Sequence, residues 1–142
     1  MVGTSVPVAG LQMPDTRGLT VRYSPPEVLE RMSKHLDRIY QFTEQDKSID
    51  IYALAVTLYE LAARQGFMHG VKNNQEILIR VLNGNRMDFT PLPDLPGLSW
   101  AITKGWEQLA KDRPNILDVY LATSNDIIQL EKKGGDINWS LT

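Results

Sequence analysis

The chain has 142 residues, with 15 Lys+Arg against 17 Asp+Glu for a formal net charge of −2, and is 42% hydrophobic and 23% charged. That is the make-up of an ordinary globular domain, long enough to bury roughly two thirds of its unfolded surface around one core. A slightly acidic balance without any Lys/Arg-rich run argues against nucleic acid as a partner. With no cysteine, a disulfide framework, a thiolate metal site and a cysteine nucleophile are all excluded.

No basic stretch followed by an apolar run opens the chain, so no secretory signal is expected and a cytoplasmic or nuclear location is the default. Gly3, Pro7, Gly10 and Pro14 predict an irregular N-terminal segment over residues 1–17. The stretch TVRYSPPE, Thr20 to Glu27, begins extended, because each proline pushes the residue before it out of the helical region. Pro26 suits the first position of a short helix, with Glu27 in its first turn. That helix runs on through Val28–Met32, and the polar, charge-rich residues 34–47 read as an exposed insertion.

Ser48 to Gln65, SIDIYALAVTLYELAARQ, is the stretch around which the rest is organised. From Ile49 to Ala63 only Asp50, Thr57 and Glu60 are strongly polar, so the spacing predicts a central helix over 48–65 with other elements packed on every side. At that length it spans about 27 Å. Ser48 is a good N-cap, and Asp50 places a negative charge where the helix dipole favours it. A membrane span is ruled out because Asp50, Glu60 and Arg64 interrupt the apolar run too soon.

Beyond a loop at Gly66–Asn73, Asn74 can cap a helix with Ile77, Leu78, Val81 and Leu82 on one stripe and Gly84 as its stop. Pro91, Pro93 and Pro96 make residues 85–98 an irregular connector. Ser99 is the candidate cap of the following helix, whose apolar Trp100, Ile102, Trp106 and Leu109 face more than one direction. The last helix is expected from Pro114 to Lys133, with Ile116, Tyr120, Ile127 and Leu130 inward and Gly134-Gly135 ending it. No run of four or more residues alternates like a half-buried strand, so the fold class is all-α.

Signatures of catalysis are sparse. His35 and His69 have no ligand-like spacing to each other, and no GxxxxGK[ST], GxGxxG or GxSxG occurs, so neither a metal nor a nucleotide cofactor is expected. Glu27 and Arg113 stand apart, each stiffened by a neighbouring proline, and arginine can grip a carboxylate with two parallel bonds. On spacing alone, pairing them is one option among many, and two solvated charges is the plainer reading.

Three stretches in order, RYSPPEVL, SIDIYALAVTLYELAA and GWEQLAKDRPNILDV, together resemble the second half (C-lobe) of a eukaryotic protein kinase domain of the tyrosine-kinase-like group. Thr20–Glu27 matches the T-x-R-[WY]-x-A-P-E end of the activation segment, with Pro25 in place of alanine. Asp50–Val56 matches D-[VI]-[YW]-[SA]-[FL]-G-[VM], with Ala55 in place of glycine. Gly105-Trp106 followed by Arg113-Pro114 keeps the spacing of C-W-x6-R-P, with the cysteine lost. The likeness covers residues 18–123, leaving 124–142 as a C-terminal extension and tail.

The resemblance implies a truncated kinase C-lobe in which Glu27 and Arg113 form a buried ion pair with Trp106 packed under it. Asp50, which in the family accepts bonds from the catalytic loop, has no such loop here. Thr20, Arg22 and Tyr23 fall where an activation segment faces substrate. The helix over 74–83 corresponds to one that kinases use for docking, with Asn73, Gln75 and Arg80 as its exposed positions. Kinase chemistry needs a glycine-rich loop, a strand lysine, H-R-D and D-F-G, and the chain contains none of them. The implied function is therefore a non-catalytic, pseudokinase-like interaction or decoy module with a protein partner, not an enzyme, with neither nucleic acid nor membrane as a target. The alternative is a fragment of an active kinase. One flank of the 48–65 helix, covered in the family by upstream elements, is expected to be bare and to be filled by a second copy, a partner or the chain's own termini.

Overall fold

A computed structural model describes residues 21–34, 47–87 and 92–134. The expectations for residues 1–17, for Thr20, for most of the insertion (35–46) and for the tail (135–142) lie outside the described residues. Among the described residues the fold is all-α and contains no strand. The helices are α1 (Pro26–Lys34), α2 (Lys47–Ala63), α3 (Asn74–Leu82), α4 (Pro96–Gly105) and α5 (Ile116–Lys132), with 3-10 turns at Val21–Tyr23 and Ala110–Asp112. No helix among the described residues is long and apolar enough to cross a membrane.

Two groups of elements meet on α2. On one side the 21–23 turn, α1 and α3 pack together; on the other α4 crosses α2, and α5 in turn lies on α4. Tyr52, Val56 and Tyr59 of α2 share one core with Leu29, Phe67, Ile77, Leu78, Val81, Ile102 and Trp106. The crossing of α2 and α4 is close because Gly105 has no side chain: a Cβ built there would sit 2.7 Å from the Ala55 Cβ. At the other end of α4, a Cβ on Gly97 would meet the Ala122 carbonyl oxygen of α5 at 2.0 Å. Glycine at both ends lets α4 lie deep between its neighbours.

Several boundaries differ from expectation for local reasons. α2 starts at Lys47, which puts Ser48 inside the first turn rather than at the cap, and it ends at Ala63 where Arg64 takes φ 56. The cap of α3 is Asn73, one residue earlier than predicted; its side chain accepts from the Glu76 amide at 2.9 Å. Gly84, at φ 87, closes that helix. α4 begins at Pro96, not after Ser99, and Leu95 at its cap position offers no side-chain acceptor. The acceptor comes from afar: Asp126 of α5 takes the Gly97 and Leu98 amides at 2.8 and 2.7 Å.

α5 shows the largest departure. It is capped by Asn115 and starts one residue after it, past Pro114. Of the four residues expected to point inward, Ile116 and Tyr120 are 60% and 63% exposed, and Ile127 and Leu130 are exposed as well. The buried positions are Val119 and Asp126, seven residues or two turns apart, which form the line that rests on α4. α2 is likewise not covered on every side. Ile51, Tyr52, Ala55, Val56 and Tyr59 are buried, whereas Leu61 is 72% exposed and Leu54 and Leu58 are only partly covered.

Candidate functional site

The chain brings together two arrangements, a buried polar anchor and an open apolar groove. The anchor is built on Arg113, which follows the 110–112 turn with an extended backbone that sends its side chain back under α2. Its Nη1 and Nη2 donate to the two carboxylate oxygens of Glu27 at 2.6 and 2.8 Å. Nε donates to the Glu107 carbonyl at 3.0 Å and Nη1 to that of Ser48 at 3.3 Å. The guanidinium is fully buried, while the Glu27 side chain keeps 35% of its surface in solvent. The paired charges therefore tie the start of α1 to the start of α2 and to the segment before α5.

Tyr52 lies at the centre of this corner. The Arg113 and Arg86 guanidiniums stand 5.2 and 5.3 Å from its ring centroid, within cation–π reach. Arg86 is held by the Trp106 carbonyl at 3.0 Å and by Gln108 Oε1 at 2.9 Å. Burial lowers the Arg86 pKa from its usual value, and the neighbouring Tyr52 acts against that shift. The Tyr52 hydroxyl is buried and has no hydrogen-bond partner among the described residues. Burial raises its pKa, with the two arginines pulling the other way. Trp106 packs beside this group, its ring 5.5 Å from Tyr59 and 5.7 Å from Phe67.

The residues matched to the activation segment serve as ties. Arg22 donates to the Phe67 carbonyl, and Tyr23 donates to Glu60, whose other oxygen accepts from the Phe67 amide at 2.8 Å. The bond to Glu60 is the main reason the Tyr23 phenol is harder to ionise than usual. On α3, Asn73 is spent on capping and Arg80 pairs with Glu76 at 2.9 Å, an exposed i,i+4 pair. Gln75 is partly covered in the first turn.

The groove runs along the uncovered flank of α2. Leu54 and Leu58 form one wall, Leu95 at the cap of α4 and Leu98 within it the floor, and Ile116, Tyr120, Ile127 and Leu130 of α5 the other wall, enclosing about 460 Å³. A second hollow of about 650 Å³ continues it past Leu54 and Ile116 to the start of α2, where Lys47, Asp50 and Arg113 line it. Asp50 is exposed there, in the first turn of α2. Among the described residues Asp126 is the one charged residue lining the first hollow, and both of its oxygens are engaged by the amides of α4. Among the described residues no cluster of histidine and carboxylate side chains could hold a metal ion.

Reading the residues alone missed Asp126, Arg86 and Glu60, whose partners are 29, 20 and 37 residues away respectively. It also missed the α5 wall, because an apolar helical stripe signals contact with something without saying what. No protein-family model matches the chain.

Proposed function

We propose that this chain is a kinase C-lobe-like helical domain without catalytic apparatus, and that it works as a protein-interaction module through the α2–α4–α5 groove. The observation that carries the reading is the groove itself: a continuous apolar surface along the central helix, of the kind that in soluble proteins marks a binding site. The α3 face is the lesser candidate, since Gln75 is partly covered and the exposed Asn73 and Arg80 already have partners within that helix and its cap.

Two features support the kinase-like part. Glu27 and Arg113, 86 residues apart, meet with bidentate geometry in the corner where the family places its ion pair. Ala55 and Gly105, the positions where the sequence departs from the family's glycine and cysteine, are in contact. A methyl gained on α2 is thus matched by a side chain removed from α4, so the two departures offset each other in volume.

The groove reading is tested by placing a charge in the groove. Leu58→Glu is expected to abolish capture of a protein partner identified by proximity labelling, while Arg80→Glu on α3 leaves it intact. The reverse pattern would move the docking surface to α3. Magnesium-dependent ATP turnover by the purified chain would end the non-catalytic reading. The exposed Asp50 at the head of the groove favours one second reading, that a polypeptide carrying a catalytic half docks there. It predicts nucleotide binding only when such a half is supplied.

A further inference from the structure

We infer that the outward face of α5 pairs antiparallel with the α5 of a second copy of this chain, making a two-fold dimer. Val119 and Asp126 rest on α4, so the side of the helix directly opposite them carries Leu117, Leu121 and Ile128, all exposed. Tyr120 and Ile127, on the groove rim, widen this face, and the five residues are between 37% and 63% exposed. A surface helix ordinarily turns its apolar stripe toward its own domain. α5 spends one line on the domain and turns the stronger apolar arc away from it. At about 200 Å² for a fully exposed large side chain, the five present about 520 Å² of apolar surface. A stable homodimer buries about 800 Å² per partner, of which about 65% is apolar, the same amount.

Charge placement selects a second copy and its direction. Ser124 is the middle residue of α5 and lies within this face, so a two-fold axis there joins residues equally far before and after it. Tyr120 then meets Ile128 of the second copy, and Leu121 meets its Ile127. Asp118, in the first turn of one helix, comes beside Lys132 in the last turn of the other, and the reverse pair forms at the far end. Glu131 stands at the C-terminal end of its own helix, where the dipole opposes it, and is brought to the N-terminal end of the other, where the dipole favours it. A parallel pair would instead set Asp118 against Asp118 and Lys132 against Lys132. The face is thus complementary to itself in charge as well as in apolar character. The inference goes beyond the proposed docking role and does not depend on it, since Leu58, on the far wall of the groove, is not part of this face.

Sedimentation equilibrium of the full chain over a micromolar concentration series is expected to show the mass rising from 16.0 kDa toward twice that value. Leu121→Glu, at a position 55% exposed, should keep the fold by circular dichroism and stay monomeric throughout. Asp118→Lys and Lys132→Glu should each weaken the dimer about tenfold, because the two-fold counts each change twice, and the double variant should recover to within about threefold of the parent. Having no native cysteine lets a single substitution report the axis. Mild oxidation should join two chains carrying Ser124→Cys about tenfold faster than two carrying Gln129→Cys, a position exposed on a flank of α5 outside this face. A parent that stays monomeric, a dimer that survives Leu121→Glu, charge variants whose combination fails to recover, or equal oxidation rates would each overturn the proposal. Leu58→Glu is expected to leave the dimer unchanged whatever it does to partner capture, so either reading can fail without the other. A dimer lost with Leu58→Glu would overturn the α5 pairing in favour of a second copy seated in the groove.

Discussion

Gly105→Ala places a methyl 2.7 Å from the Ala55 Cβ and 3.3 Å from the Ile51 carbonyl oxygen, both on a helix that cannot rotate away without unpacking Tyr52 and Val56. Ordinary carbon–carbon contact lies at about 3.5–4.0 Å, so the two carbons must move apart by about 1 Å. Overpacking of this kind costs about 1–3 kcal/mol. Alanine's better helix propensity returns less than about 1 kcal/mol, because Gly105 is the last residue of α4. The expected net loss is about 1–2 kcal/mol. Ala55→Gly alone should lose about 1 kcal/mol through propensity in mid-helix. Together the two changes should cost less than their sum, because the clashing methyl on α2 is gone. Urea unfolding of the four proteins, followed by far-ultraviolet circular dichroism, gives the coupling directly, expected at about 1–2 kcal/mol in favour of the double variant. A Gly105→Ala protein as stable as the parent, or strictly additive effects, would refute the close crossing. The volume exchange that supports the kinase-like reading would fall with it.

The two partners of the ion pair should not be equivalent. Glu27→Ala strands a fully buried guanidinium and is expected to cost about 3 kcal/mol, whereas Arg113→Met leaves a carboxylate with a third of its surface in water and should cost clearly less; chemical denaturation of both variants checks the order. Tyr52→Phe removes a buried hydroxyl that has no partner among the described residues and keeps the ring under both guanidiniums, so stability should hold or rise by up to about 1 kcal/mol. The same variant has a pH signature. The phenol's pKa is raised on folding, so its contribution is complete below the unfolded value of 10.0 and is lost as pH rises above it. The parent should therefore lose stability above pH 10 more steeply than Tyr52→Phe. Asp126→Ala leaves the Gly97 and Leu98 amides without their acceptor and should cost about 2 kcal/mol, with amide exchange speeding up first at those two residues.

Much of the scaffold was legible because its signals are local. Pro26 opening α1, Asp50 in the first turn of α2, Gly84 and Gly134 at helix ends, and the absence of alternating runs each act over a few residues. The cap of α3 was misplaced by one position because Asn73 and Asn74 carry equal signals, and only backbone geometry chooses between them. The Glu27–Arg113 contact was not legible in spacing or composition. It followed from the kinase resemblance alone, since nothing local links residues 86 apart. The start of α4 carries one local mark, Pro96 at its first position, but its acceptor belongs to another helix and leaves no mark in the neighbouring sequence.

α5 was misread for a more general reason. Hydrophobic periodicity finds the apolar side of a helix and assumes that the domain supplies its cover. Here the line that meets α4 contains Val119 and an aspartate, and the stronger apolar stripe faces the gap beside α2. A buried Asp126 is tolerable on that line because two amides satisfy it, and those amides are free to donate to it because the cap residue of α4, Leu95, has no side-chain acceptor. The same pairing uses up the one charge that lines the first hollow among the described residues. What remains in that hollow is a surface that rewards apolar side chains, with charge available only further along, where the exposed Asp50 and Lys47 line the second hollow at the start of α2.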